Sequence, residues 1–156
     1  MTYPVTVEPF LAASLAALFD NGLPAPQPGE LLPPYWHIAA CATPAVTHAL
    51  GIDGHPLTGI VTPPTDLPRR MFAGGSLRIE RPLIVGERLG HGAMVADTTN
   101  KQGRSGPLRF VTVVHSLTRA DGTVAQIDRQ RIVYRGVSEV AATATTRRPP
   151  HVHRER

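Results

Sequence analysis

The chain has 156 residues, 42% of them hydrophobic and 18% charged, with 16 prolines and 14 glycines, which suffices for one buried core without disulfides or metals and excludes disorder throughout. The net charge of +4 comes from basic residues scattered singly and concentrated only in the tail, and aromatics make up 5%; the pattern argues against a nucleic-acid stripe or stacking platform and suits a small anionic ligand or an acidic carrier protein. Cys41 is the only cysteine, the longest apolar stretch, FLAASLAALF, is too short to span a bilayer, and MTYPVTVEPF lacks the basic start of a signal peptide, so a reducing, cytoplasmic setting with no membrane partner is expected.

The first element is a helix. VTVEPFLAASLAALFD places Thr6 as its cap, Glu8 and Pro9 in the first turn, and Phe10, Leu11, Ser14, Leu15, Leu18 and Phe19 at helical spacing. Asp20-Asn21-Gly22 stops it, and the proline-rich LPAPQPGELLPP can neither continue a helix nor enter a central strand. A second short helix is expected over TPAVTHAL, with Thr43 as cap, Pro44 in the first position and Gly51 just past the end. GIDGHPLTG is then loop.

After Gly75 the pattern turns to strands. SLRIERPLIVG, ERLGHGAMVADTTN, LRFVTVVHSLTRA and TVAQIDRQRIVYR are β-branched runs separated by turn residues at Pro82 to Gly86, Gly103 to Pro107 and Ala120 to Gly122. In the third run Val111, Val113, His115 and Leu117 share one face, and Phe110, Thr112 and Val114 the other. Both faces are largely apolar, so each needs a cover: a helix on one side, a second subunit or sheet edge on the other. Helices first and antiparallel strands second give an α+β domain over residues 1–137, followed by a flexible basic tail over 138–156.

Several residues could carry chemistry. The seven histidines show no second ligand at helical spacing, so no metal site is expected. His37, in PPYWHIAA, is either a half-buried neighbour of Trp36 or a residue facing a ligand cleft. His91 and His115 sit in strands, as core or surface residues. Asp20 serves as a cap or turn residue, or as a general base. Arg69 and Arg70 either solvate a short helix after Pro68 or, beside Gly74-Gly75, clamp a phosphate; Arg104 and Ser105, flanked by Gly103 and Gly106, repeat the choice in a tight hairpin.

The stretches LPPYWH, DGHPLTGIVTPPTDLPRRMFAGG, PLIVGERL and KQGRSGPLRFVTVVH…IVYR resemble the MaoC-like hotdog hydratases and dehydratases. They are most similar to the N-terminal half of the double-hotdog branch, typified by mitochondrial 3-hydroxyacyl-thioester dehydratases and mesaconyl-CoA hydratases. The resemblance covers roughly residues 6 to 135. It implies a hotdog fold, a curved antiparallel sheet around a helix, and an acyl-thioester tunnel between two such units. It also implies addition or removal of water at an enoyl or 3-hydroxyacyl thioester of coenzyme A or acyl carrier protein, with no cofactor. The family's Asp-x-Asn-Pro-x-His segment, which supplies the catalytic Asp and His, does not occur here.

The resemblance therefore implies an accessory, substrate-binding subunit completed by a catalytic hotdog partner. Arg69, Arg70 and Arg104 would frame the phosphopantetheine end of the thioester, with Trp36, His37, Met71, Gly74, Gly75 and Ser105 as further substrate contacts. Two alternatives remain open: a self-sufficient homodimer using Asp20 and His37, and a non-enzymatic acyl-thioester-binding module.

Overall fold

The computed structural model describes residues 2–51 and 53–136. Its elements run β1 (Thr2–Thr6), α1 (Pro9–Phe19), α2 (His37–Ala40), β2 (Arg69–Ile79), β3 (Arg88–Gly103), β4 (Gly106–Thr118) and β5 (Val124–Arg135). The strands form one antiparallel sheet in the order β1-β3-β4-β5-β2. The hotdog fold class expected from sequence is borne out: a curved five-stranded sheet with α1 as its principal helix. The boundary at residue 137 and the basic tail lie outside the described residues.

Local chemistry explains where the elements start. Pro9 occupies the first turn of α1, where its missing N–H costs nothing, and Glu8 is its extended cap residue. Thr6, expected as that cap, instead ends β1 opposite Arg88. The strand was hidden in the sequence because Pro4 sits inside it, a placement that only a sheet edge tolerates. At the far end of α1, Asp20 adopts the left-handed conformation (φ 40) and donates its N–H to Ala16 O, ending the helix.

The helix expected over TPAVTHAL is reduced to one 3-10 turn, Thr47–Ala49. Val46 ahead of it is extended, and Leu57 N–H returns to Ala49 O, so loop pairing outcompetes the weak helical preference of Thr and Val. The helical turn lies earlier, at α2. β2 likewise starts before its expected position: Arg69 and Arg70 pair with Arg135 and Tyr134, opening a strand instead of a helix.

The core divides in two along the sheet. One cluster joins Val5, Val7, Ala12, Leu32, Leu83, Val85, Leu89, Leu117 and Ala125; the other joins Leu67, Val111, Val113, Ile132 and Tyr134. Leu83 and Val85 enter the first cluster from a loop whose backbone bonds to Glu30 and Leu32. Arg119 pins that loop, donating twice to the Glu87 carboxylate and once to Pro82 O. α1 buries only Ala12 completely and leaves Phe10 84% and Leu18 75% exposed, so its apolar stripe is not consumed by this sheet. Among the described residues no helix is long and apolar enough to cross a membrane.

Candidate active site

The pleat decides which residues meet. Because successive side chains alternate faces, the register sets Tyr3 (β1), His91 (β3), His115 and Leu117 (β4), and Gln126, Asp128 and Gln130 (β5) on the same inner face as the buried Val111, Val113 and Ile132. α2 covers this face and delivers His37. Between them lies a cavity of about 250 Å³, whose lining includes His37, Cys41, His91, His115, Gln126, Asp128 and Gln130, with His55 and Arg70 beside them.

Two couples organise the cavity. His37 and Asp128, each 4% exposed, approach to 4.0 Å between Nε2 and Oδ2, too far for a direct hydrogen bond. Asp128 Oδ2 accepts from Gln130 Nε2 at 2.7 Å. His91 Nε2 and His115 Nδ1 share a hydrogen bond of 3.0 Å, their rings stacked within 5° of parallel, and Tyr3 sits edge-on to His91. Among the described residues, four buried side-chain atoms have no protein partner: both ring nitrogens of His37, His91 Nδ1 and Gln126 Oε1. Each such atom costs roughly 1–3 kcal/mol when left unpaired.

The backbone leading into His37 is itself strained. Tyr35 has φ 69, the left-handed region that a residue with a Cβ enters at a cost of about 1–2 kcal/mol. Its ring stacks over His37 at 6.4 Å. Strain of this kind clusters where a side chain must be aimed.

Burial sets the charge states. It lowers the pKa of His37 and of His115 below the ordinary 6.5, against the upward pull of the Asp128 carboxylate on both. His91 falls to about 4, through burial and then through His115 and His37. The Cys41 thiol is pushed up to about 11 by burial and by Asp128. At neutral pH the cavity therefore offers neutral imidazoles and an unreactive thiol. Neutral His37 keeps one N–H and one lone pair, neither engaged by protein, beside a carboxylate: a set able to hold water or a hydroxyl and move its proton.

The residues singled out by sequence scatter. His37 and Arg70 line the cavity, Arg70 Nη1 lying 2.8 Å from His55 Nε2. Trp36 packs against the first core cluster and Phe19. Arg69 and Arg70 are neighbours on a strand and so face opposite sides, which prevents a joint clamp. Met71 is half-exposed on the edge strand. Gly74 (φ 134) follows a bulge, and a Cβ on Gly75 would sit 2.8 Å from Arg129 O, so the glycine pair serves the sheet's own close approach. Arg104 and Ser105 form the exposed hairpin turn between β3 and β4, and Asp20 is exposed at the end of α1, outside the cavity lining. Asp128, Gln126 and Gln130 were not anticipated. Their spacing of two in AQIDRQRIVYR was the available signal.

Residues 35–127 match the family model described as FAS1-like, dehydratase domain region. The chain is 36% identical over 142 residues to mesaconyl-C(4)-CoA hydratase of Chloroflexus aurantiacus, across 91% of this chain and 50% of that protein. It thus spans about half the length of that curated relative. Among solved structures it resembles the ChsH1-ChsH2 complex from Mycobacterium tuberculosis (TM-score 0.61, 15% identity, 87% of this chain and 88% of that chain). It also resembles the HadBC (3R-hydroxyacyl-ACP dehydratase) complex from the same organism (TM-score 0.53, 11% identity, 85% and 94%). At such identities these two establish the fold.

Proposed function

The chain belongs to the FAS1-like dehydratase-domain family of MaoC-type hotdog proteins, and from that premise we propose that it is one hotdog unit of a hydratase or dehydratase acting on enoyl or 3-hydroxyacyl thioesters of coenzyme A or acyl carrier protein. The acyl end enters the inner-face cavity. The observation that carries this reading is the cavity itself: a partly open pocket with buried protonatable side chains inside and a guanidinium in its lining. Its size suits a short acyl group.

The register supports a direction for the substrate. Arg70, near the start of β2, lies at the cavity margin with its guanidinium against His55, whereas His37 and Asp128 are buried within. The thioester enters with its phosphate outside, toward Arg70, and its acyl end toward Asp128. Arg104, at the hairpin tip beyond this end of the sheet, adds to the field that attracts the anionic carrier.

A second hotdog unit completes the site. β2 is an edge strand with Met71, Phe72 and Ile79 exposed, a surface that sheet proteins cover. The relative of double length supports the same pairing. In the accessory form of this reading the partner carries the Asp-x-Asn-Pro-x-His segment absent here.

Crotonyl-CoA tests the proposal. The full-length chain should bind it saturably by isothermal titration, and 3-hydroxybutyryl-CoA should form once the two-unit assembly is present, as judged by mass in solution. Saturable binding without product, even with a hotdog partner bearing that segment, would instead establish a thioester-binding module.

A further inference from the structure

Among the described residues, the three buried ones with unpaired polar side-chain atoms, His37, His91 and Gln126, all line one cavity, and both ring nitrogens of His37 lack a partner there. Its side chain is 5% exposed, faces an equally buried carboxylate, and is held by a residue in the left-handed backbone region. A core position with no chemical task would fill this space with an apolar ring. The separation of 4.0 Å between His37 Nε2 and Asp128 Oδ2 is too long for them to satisfy each other. It is suited to a third atom that hydrogen-bonds to both.

We infer that His37 and Asp128 are a proton-transfer pair for water addition and elimination, giving this chain a reaction centre of its own where the family's Asp-x-Asn-Pro-x-His segment is missing. The inference rests on the hydratase reading above and reassigns the proton transfers from the partner to this chain. One water molecule sits between the two groups. Its oxygen bonds to the β-carbon of the enoyl thioester while His37 Nε2 takes one of its protons, and the π electrons pass to the α-carbon and thioester carbonyl. The imidazolium, held beside the Asp128 carboxylate, then returns that proton to the α-carbon. The product carries one H and one OH from a single water, and both side chains end as they began. Dehydration is the same path reversed.

Asp128 is fixed by the Gln130 hydrogen bond, so the pair is oriented by β5 on one side and by α2 on the other. The other groups facing His37 are His115 on β4, His91 on β3, Tyr35 and Cys41 on its own segment, and His55 and Arg70 across the cavity. Burial holds His37 neutral above 6.5, the state a base requires.

The test uses the full chain in whatever two-unit assembly supports turnover of crotonyl-CoA, with butyryl-CoA, which cannot be hydrated, as the binding probe. His37→Gln and Asp128→Asn should each lower kcat by 10²–10⁴-fold, leave butyryl-CoA affinity within a few-fold, and combine to no more than the worse single loss. The wild-type acid limb of kcat/KM should lie below pH 6.5 and disappear in His37→Gln. Thermal melts check folding, and Asp128→Asn, isosteric and able to keep a Gln130 contact, decides the matter if His37→Gln unfolds. A kcat within threefold of wild type in either folded variant overturns the pair while the hydratase reading stands. An assembly that binds butyryl-CoA but hydrates nothing, or a chain that binds neither thioester, overturns both.

Discussion

The two ends of the inner face are built from the same strands and differ in almost every other respect. On β4, Val111 and Val113 are followed on the same face by His115; on β5, Ile132 and Tyr134 are preceded by Gln130, Asp128 and Gln126. The apolar end closes over Leu67 with its residues 2–5% exposed. The polar end leaves a cavity and four unpaired buried atoms. Register, twist and pleat are shared, so the fold does not require polarity at one end; the polar end gives up stability that the apolar end shows to be attainable. That contrast is the physical case for placing chemistry there.

The largest test of the contrast is packing. Ile132→Ala removes a side chain from the closed end and should cost about 2–5 kcal/mol in urea or guanidinium unfolding, since little nearby can collapse into the space. A loss below 1 kcal/mol would mean that the two ends are equally loose and that the cavity marks nothing special.

Acidification probes the other end. His91 titrates near 4 in the folded chain against 6.5 when exposed, so the unfolded state binds the proton first as pH falls. Its contribution is complete above pH 6.5, drains away as pH drops toward 4, and amounts to about 3 kcal/mol when gone. His37 and His115 are lowered too and act in the same direction. Chemical denaturation at pH 7, 5.5 and 4.5 should show this fall, and His91→Phe should flatten it. A profile unchanged by that substitution would take His91 out of the acid sensitivity.

Much of this end was out of reach of sequence reasoning. The four-strand core and the shared face of Val111, Val113, His115 and Leu117 follow from period-two alternation, and the family follows from the motifs around Arg69 and Arg104. The cavity does not, because AQIDRQRIVYR is mixed on both faces: Gln126, Asp128 and Gln130 alternate with Ile127, Arg129 and Arg131. Nothing local says which set turns inward. Only the register does so, pairing His115 with Asp128 and Leu117 with both His91 and Gln126, and a one-residue slip in either hairpin would turn the other set inward. β1 was masked by Pro4, and the start of β2 by a double arginine that reads as a short helix after Pro68 or a phosphate clamp.

The double arginine supplies the smallest and most local test. On a strand, Arg70 turns to the cavity and lies against His55, whereas Arg69 turns to the opposite face and is exposed. If the thioester's phosphate approaches along the inner face, Arg70→Ala should weaken crotonyl-CoA binding about tenfold, about 1.4 kcal/mol, and the loss should shrink as salt screens the wild-type contact. Arg69→Ala should leave binding within twofold. Both should change stability by no more than about 0.5 kcal/mol, as surface substitutions do. Equal losses from the two variants would mean that the first residues of β2 leave the ladder to grip the ligand together, and the inner-face route would then give way to one around the sheet edge.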